Sequence, residues 1–241
     1  MIKRFLLTFP IAFSFVMASA QRITYLGAEG AVNLDVYNYI DNGSLIKHEY
    51  PSSGYFGLNI RQDINPGLFV ETGLLRKYYY EGIGFTTSAG YISSNAISAW
   101  LIPLRLGTRI NISRKKVYLV PVVGYLVGIN TDYDYGDGGI GGSEIYKRDT
   151  INFSMNSKLS LRRTFPLLQT GIGIEFMLLR TALISVAANY YTGFKNVMTQ
   201  DIEYTDNSAT STAKGLSKGE IVSFGIACKY PVSNLWTQKK R

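Results

Sequence analysis

The sequence has almost no cysteine, few charged residues and, after residue 21, no long apolar run. The single Cys228 cannot form an internal disulfide, which excludes a small secreted fold stapled by disulfides. No apolar run beyond Gln21 approaches the about 20 residues of a membrane-spanning helix, so a chain that crosses a membrane must do so as strands. With 17% charged residues, 18 Tyr and 24 Gly, the composition is not that of a disordered chain.

The N-terminus has the pattern of a secretory signal peptide. A basic pair at residues 3–4 precedes an apolar run over residues 5–16, and Ala18 and Ala20 then place small side chains where signal peptidase needs them. We expect cleavage before Gln21, so that residues 1–20 are the signal peptide. A short membrane anchor is the alternative, but the run is shorter than the about 20 residues that span a bilayer.

The net charge is positive without a pattern typical of nucleic-acid binding. It is +8 for the whole chain, and loss of the signal peptide leaves 23 basic and 17 acidic side chains, a net charge of +6. The basic clusters lie at residues 114–116 and 239–241, in a short turn and a tail. For an exported chain they favour contact with anionic lipid or solvation, and we expect no nucleic-acid partner.

Residues 99–113, AWLIPLRLGTRINIS, alternate between bulky apolar side chains and polar or small ones. Leu104 and Leu106 fall on even positions, and Arg105 and Arg109 fall on odd positions. Successive side chains of a strand point to opposite faces, so we predict one strand with two different faces. A helix would scatter the arginines among the leucines. Six further segments follow this parity: residues 26–34, 54–64, 68–77, 168–178, 184–190 and 222–230. Residues 117–129 are an eighth candidate strand that is apolar on both faces, with Gly124 and Gly128 sharing one of them.

The connections between these eight segments alternate in length. Short turns are predicted at residues 64–67, 113–116 and 179–181, and long loops at residues 37–53, 78–95, 130–165 and 192–218. Consecutive antiparallel strands place alternate connections at opposite ends, so the four long loops share one end. Outer-membrane barrels have this asymmetry, with short periplasmic turns and long extracellular loops. A soluble β-meander with uneven loops is the alternative.

We predict that the charged face lines the inside of an eight-stranded barrel. Glycines such as Gly73, Gly107 and Gly173 share that face, and they leave room for large polar neighbours in a narrow interior. On a lipid-facing wall an arginine near the midplane would cost about 2–4 kcal/mol. The predicted interior network has four acidic and four basic side chains, so that each charge can find a partner: Glu29, Arg61, Asp63, Glu71, Arg105, Arg109, Glu175 and Lys229.

Aromatic side chains gather near the loop ends of the predicted strands. Such positions are typical of the girdles that membrane barrels place at the membrane interfaces. We therefore predict an interfacial girdle made of Tyr37, Tyr39, Tyr78, Tyr79, Tyr80, Trp100, Tyr190 and Tyr191.

The order and spacing of several phrases resemble the outer-membrane β-barrel family common in Bacteroidota, which is related in architecture to small eight-stranded barrels such as OmpX and OmpA. The phrases are LFVETGLLRKY, AWLIPLRLGTRI, VYLVPVVGYLVGI, GIGIEFMLLRTALISVAANYYTGFKNV and IVSFGIACKY. The resemblance covers nearly all of the mature chain. It implies an all-β, eight-stranded antiparallel up-and-down transmembrane β-barrel over residues 21–230, located in the bacterial outer membrane with periplasmic termini and extracellular long loops.

The end of the chain is similar to the signal that the barrel-assembly machinery reads on the last strand of its substrates. The residues concerned are Ser223, Gly225, Cys228 and Tyr230. The resemblance thus implies the assembly machinery as a partner. One departure is that such signals often end the chain, whereas here residues 231–241 follow, which we expect to be a short periplasmic tail.

No group of residues predicts catalysis, and we expect no enzyme. Some eight-stranded barrels modify lipid A with a His and a Ser at the outer rim, and His48 lies near Ser52, but a lone loop histidine is typical of ordinary loops. The sequence also predicts neither a metal site nor a cofactor. Asp132, Asp134 and Asp137 resemble an oxygen-ligand loop but lack the downstream Glu of a calcium-binding hand.

The leading functional hypothesis is a non-enzymatic, porin-like barrel that presents four long loops. We expect a structural, adhesion or envelope-assembly role, with outer-membrane lipid and, through the loops, other envelope proteins as partners. A wide pore is disfavoured because open channels need about sixteen strands, while a small solute leak stays open. Two alternatives remain: a soluble periplasmic or secreted ligand-binding β-barrel, and an accessory barrel of a secretion apparatus.

Overall fold

The computed structural model describes residues 23–43, 46–47, 52–85, 91–113, 116–131, 137–146, 149–178, 182–206 and 209–232. None of these residues forms a helix long and apolar enough to cross a membrane. The strands are β1 (Thr24–Asp41), β2 (Ile46–Lys47), β3 (Ser52–Asp63), β4 (Leu68–Phe85), β5 (Tyr91–Thr108), β6 (Ile110–Ser113), β7 (Val117–Asn130), β8 (Asp137–Tyr146), β9 (Asp149–Leu161), β10 (Thr164–Leu178), β11 (Ala182–Gly193), β12 (Met198–Asp206) and β13 (Ala209–Pro231).

Eight of these strands close a barrel. Each pairs antiparallel with the next in the order β1-β3-β4-β5-β7-β10-β11-β13, and β13 pairs with β1 to complete the circle. The order follows the chain, so the topology is up-and-down. The predicted closed, eight-stranded antiparallel barrel is confirmed, and each of the seven other predicted segments corresponds to one barrel strand.

The predicted alternation decides which side chains point out of the barrel. On β5 the side chain of Leu104 is 46% exposed and that of Arg105 is 6% exposed. On β3 the corresponding values are 62% for Leu58 and 0% for Arg61. The wall therefore presents bulky apolar side chains outward and charged ones inward, which is the reverse of a water-soluble barrel.

One predicted strand is interrupted. Residues 99–113 do not form a single strand, because β5 ends at Thr108 and β6 begins at Ile110. Between them the Arg109 backbone N–H donates to the Gly67 carbonyl at 2.6 Å, in the neighbouring short turn. The bond to this turn takes the backbone out of the ladder at one residue, while Ile110 and Ile112 keep the predicted outward direction.

The prediction that the four long connections are loops throughout was wrong. Their described residues include β2, β8, β9 and β12, as well as the ends of β1, β4, β5 and β13. Here β12 pairs with the first part of β13, β9 pairs with β12, and β8 pairs with β9. We call β8, β9, β12 and residues 209–217 of β13 the extension. The extension continues the barrel wall beyond the end where the long connections lie.

A bulge in β13 marks where the closed barrel gives way to the extension. The pairing with β1 shifts between Val36 and Asn38, and Gly219 has a positive φ of 74°. The Ser217 hydroxyl donates to the Val36 carbonyl at 3.1 Å and accepts from the Gly219 N–H at 3.1 Å. Along the chain, β13 pairs first with β12 and, after this bulge, with β11. The extra residues 217–219 of the bulge bend the strand at the change of partner.

Small residues inside the barrel make room for rings on neighbouring strands. Phe69 lies opposite Gly107 in the register, and a Cβ atom on Gly107 would overlap the Phe69 ring. On its other side the ring is covered by the Arg61 guanidinium, whose carbon lies 3.4 Å from the ring centroid. Gly107 therefore serves the packing of a buried aromatic ring rather than a turn.

We expect Gly107→Ala to destabilise the folded barrel by about 1–3 kcal/mol, because the added methyl group forces the Phe69 ring against Arg61. The free energy of unfolding in urea measures this effect. Gly30→Ala is the matched control, since the nearest atom to its added Cβ is a carbonyl oxygen at 3.6 Å. Equal stability of the two variants would contradict the packing role of Gly107.

Candidate functional site

The layer of the barrel interior nearest the short turns is a closed ring of ion pairs, which we call the Arg61 ring. Arg61 binds Glu175 at 2.6 Å and Asp63 at 3.1 Å, and Arg109 binds Asp63 and Glu175 at 2.7 Å each. Asp63 ends β3 and Arg109 follows β5, so the ring lies near the short turns. Glu175 comes from β10, four strands away from β3, so the ring bridges the width of the interior.

The middle layer is centred on Arg105, and we call it the Arg105 cluster. Its guanidinium binds both carboxylate oxygens of Glu29, at 2.6 and 2.8 Å, and one oxygen of Glu71 at 2.7 Å. Lys229 binds the other Glu71 oxygen at 2.5 Å. Gln169 accepts a hydrogen bond from Arg105 Nε at 3.0 Å. Every charge in this layer therefore has a partner of opposite sign.

A third ion pair lies nearer the long connections. Lys77 Nζ donates to Asp35 at 2.6 Å and to the Ser53 hydroxyl at 3.0 Å, and all three side chains are buried. The sequence placed Lys77 on the charged face but did not identify Asp35, because the predicted strand ended at Leu34. Extending that strand by one residue with the same parity would have found it.

The structure thus brings all eight predicted charges into the barrel, in two separate groups, and adds the Lys77–Asp35 pair. Five basic and five acidic side chains form these contacts. The numbers balance within each group as well as in total. The described interior consequently carries no surplus of either sign that would attract ions.

Apolar side chains fill the interior towards the long connections. Leu75, Ile97, Leu126 and Leu167 are completely buried there. Val197, just before β12, and Met198, the first residue of β12, belong to the same cluster, and we call the whole cluster the apolar plug. Apart from the Lys77–Asp35 pair, the predicted narrow charged lumen therefore describes the half of the interior near the short turns.

The space that is left inside the barrel is small. A cavity of about 70 Å³ lies at the Arg105 cluster, beside Tyr55, and another of about 30 Å³ lies between Lys77 and the apolar plug. One water molecule occupies about 30 Å³ in the liquid. The larger cavity has room for about two waters and the smaller for about one, and they do not form a solute channel within the part of the chain that the structure describes.

The predicted aromatic girdle is only partly outside. Tyr78, Trp100 and Tyr190 are exposed on the outer wall. By contrast, Tyr37, Tyr79 and Tyr191 are buried in the apolar plug, and Tyr39 packs against it. The assignment failed for these residues because it used their nearness to the loops and ignored the strand parity that turns odd positions inward. The side chain of Tyr80 lies outside the described residues.

The four residues of the predicted assembly signal divide between the faces of β13. Ser223 is buried inside the barrel, and Gly225 lies opposite Ala31 of β1. Cys228 and Tyr230 point outward and are exposed. After β13 the Val232 N–H donates to the Thr24 carbonyl at 2.8 Å, and the remaining tail is outside the described residues.

The signal cleavage residues Ala18, Ala20 and Gln21, the loop residue His48, and both Asp132 and Asp134 lie outside the described residues. Among the residues that are described, no group of three His, Cys, Asp or Glu side chains could hold a metal ion.

The fold is that of outer-membrane β-barrels. The structure of the outer-membrane protein OprG from Pseudomonas aeruginosa matches with a TM-score of 0.50 and 11% identity, over 87% of this chain and 96% of that one. A major outer-membrane protein from Thermus thermophilus gives a TM-score of 0.42 at 11% identity over 86% and 98% of the two chains. Ail, the attachment invasion locus protein of Yersinia pestis, gives 0.35 at 12% identity over 86% and 97%.

Sequence comparison adds no family. No known family model matches the chain, and no curated protein matches its sequence. At 11% identity the likeness to OprG shows the fold alone.

We expect Arg105→Met to destabilise the barrel by about 3–5 kcal/mol, because it leaves buried carboxylates without their cation. Adding Glu29→Gln to this variant should restore part of the loss, since Glu71 keeps Lys229 as its partner. Urea unfolding of the two variants and of Glu29→Gln alone completes the double-mutant cycle. Strictly additive losses would contradict the coupling between Arg105 and Glu29.

Proposed function

We propose that the protein is a non-enzymatic outer-membrane β-barrel that serves as a scaffold for its extracellular extension. The observation that carries the proposal is the inverted wall, with buried ion pairs inside and bulky apolar side chains outside. Water outside the barrel would make that wall unfavourable, because apolar area would be exposed along all eight strands. Lipid removes this cost.

The height of the apolar wall supports a bilayer location. On β1 the outward residues from Leu26 to Leu34 include exposed Leu26, Val32 and Leu34, over a span of 9 residues. A tilted membrane strand needs about 9–11 residues to cross the hydrocarbon layer. Beyond this span the outward positions are half-buried Val36, then exposed and polar Asn38, then exposed Ile40.

The extension has a polar outer surface. Lys158, Asp201 and Lys214 lie side by side on β9, β12 and β13, and all three are exposed. Asp201 and Lys214 form a solvated ion pair at 3.4 Å. A row of alternating charges suits water and not hydrocarbon, so we place the extension outside the membrane.

The two ends of the barrel support an orientation. Both ends of the described chain, near Ile23 and Val232, lie with the short turns, and the extension lies at the opposite end. In outer-membrane barrels the short turns face the periplasm and the long connections face outward. We therefore propose periplasmic termini and an extracellular extension.

The extension has a small hydrophobic core of its own. Met155, Ile202, Tyr204 and Ala213 are buried together with Ile46 from β2. The Tyr204 hydroxyl also donates to Asp41 of β1 at 2.6 Å. A packed and hydrogen-bonded extension gives the protein an ordered outer surface, which favours a role in adhesion or envelope assembly over a purely mechanical one.

The other predicted partners and alternatives remain proposals. We propose that the outward Tyr230 and Cys228, with Gly225 and Ser223, are read by the barrel-assembly machinery. The exposed apolar wall counts against a soluble ligand-binding barrel. No described feature favours an accessory role in a secretion apparatus over the scaffold.

We expect Leu104→Arg to impair membrane assembly, because a cation on the lipid face costs about 2–4 kcal/mol near the midplane. Leu104→Phe is the matched control and should assemble normally. The measurements are the yield in the outer-membrane fraction and the faster gel mobility of the folded barrel before boiling. Recovery of the wild type as a soluble periplasmic protein, or normal assembly of Leu104→Arg, would overturn the proposal.

We also expect no stepwise conductance from the protein in planar lipid bilayers, because the apolar plug and the ion-paired layers fill the interior. An open porin inserted under the same conditions shows that the bilayers report channels. Steady single-channel steps from the folded wild type would contradict a filled interior.

A further inference from the structure

One arginine lies on the outer wall, apart from the interior charges. Arg76 of β4 lies between Phe56 and Trp100 in the register, and both of these neighbours are exposed on the outer wall. Its guanidinium carbon is 4.9 Å from the Trp100 ring centroid and 5.7 Å from that of Tyr78. The preceding outward residue of β4, Leu74, is exposed and apolar. Arg76 therefore stands where the apolar wall ends.

The guanidinium is held from one side only. Its Nη2 donates to the Ser98 hydroxyl at 2.5 Å and to the Thr131 hydroxyl at 3.3 Å. Its Nε and Nη1 donate to no described residue, and no described carboxylate forms an ion pair with Arg76. The stacked and hydrogen-bonded side chain is thus fixed in place, with donors left for a ligand that comes from outside the wall.

A second arginine, Arg162, lies at a corner of the chain whose backbone is bound to Asn130, the residue before Thr131. The Asn130 N–H donates to the Arg163 carbonyl at 2.9 Å, and the Asn130 side chain donates to the Arg162 carbonyl at 2.7 Å. These bonds place the corner at residues 162–163 next to Thr131, which is the partner of Arg76. The side chain of Arg162 is exposed, and it forms no ion pair with a described carboxylate.

We propose that Arg76 and Arg162 bind a phosphate group of lipid A on the outer wall, an inference that rests on the proposed outer-membrane function. Guanidinium donors suit phosphate oxygens, and a phosphate monoester carries about −1.5 to −2 charges, enough to pair with two arginines. Trp100 and Tyr78 are the side chains that favour the membrane interface. Lipid A is the occupant because the site lies at the extracellular end of the apolar wall in the orientation proposed above, which is the level of the outer leaflet.

The experiment measures lipid binding by the folded full chain in phosphatidylcholine nanodiscs. The probes are bisphosphorylated lipid A, lipid A without phosphate, and phosphatidylglycerol, whose phosphate is a diester. The variants are Arg76→Gln, Arg162→Gln and the double variant. Lys218→Gln is the matched control, because it removes an exposed positive charge at the same end of the barrel, on β13.

Wild type and Lys218→Gln should bind bisphosphorylated lipid A equally well. Arg76→Gln and Arg162→Gln should each bind it about tenfold more weakly. Wild type should likewise bind lipid A without phosphate more weakly than bisphosphorylated lipid A. Unchanged binding by both arginine variants would overturn the site, and Arg162→Gln serves even if Arg76→Gln fails to fold. Equal, arginine-dependent binding of phosphatidylglycerol would overturn lipid A as the occupant. A wild type that does not insert into bilayers would instead overturn the proposed function.

Discussion

The structure depends on keeping ten ionised side chains away from water inside a barrel whose outer wall is apolar. An isolated charge in such an interior costs several kcal/mol, so the only stable arrangement pairs every cation with an anion. The Arg61 ring, the Arg105 cluster and the Lys77–Asp35 pair satisfy this condition one layer at a time. Because the Arg61 ring and the Arg105 cluster draw their members from strands that are not neighbours in the barrel, these ion pairs also fix how the strands face one another.

The balance of charge explains the rest of the interior. Neutral layers do not attract ions, so the barrel gains nothing from an aqueous path, and the half near the long connections is free to pack with apolar side chains. Leu126 and Leu167 occupy there the place that water would take in a wide porin. The interior is consequently filled from end to end by paired charges and apolar side chains within the described part of the chain.

Strand parity predicted most of the fold. The alternation in residues 99–113, repeated in six other segments, predicted the strands. The alternating lengths of the connections and the glycines on the charged face were needed to predict a barrel with its charges inside. Parity would also have corrected the prediction of the aromatic girdle, because Tyr79 and Tyr191 occupy odd positions on their strands and point inward. The break at Arg109 could not be predicted in this way, because it depends on a hydrogen bond to Gly67, 42 residues earlier in the chain.

The partners of the charges and the extension could not be predicted from the sequence either. Parity states that Arg61 and Glu175 face the interior, but their contact depends on the stagger between β3 and β10, which no local pattern encodes. Likewise, the extension joins the barrel where β13 changes its partner from β11 to β12 near Gly219, which no local pattern in the sequence indicates. A glycine with a left-handed backbone thus lies where the apolar barrel wall meets an extension whose outer surface carries charges.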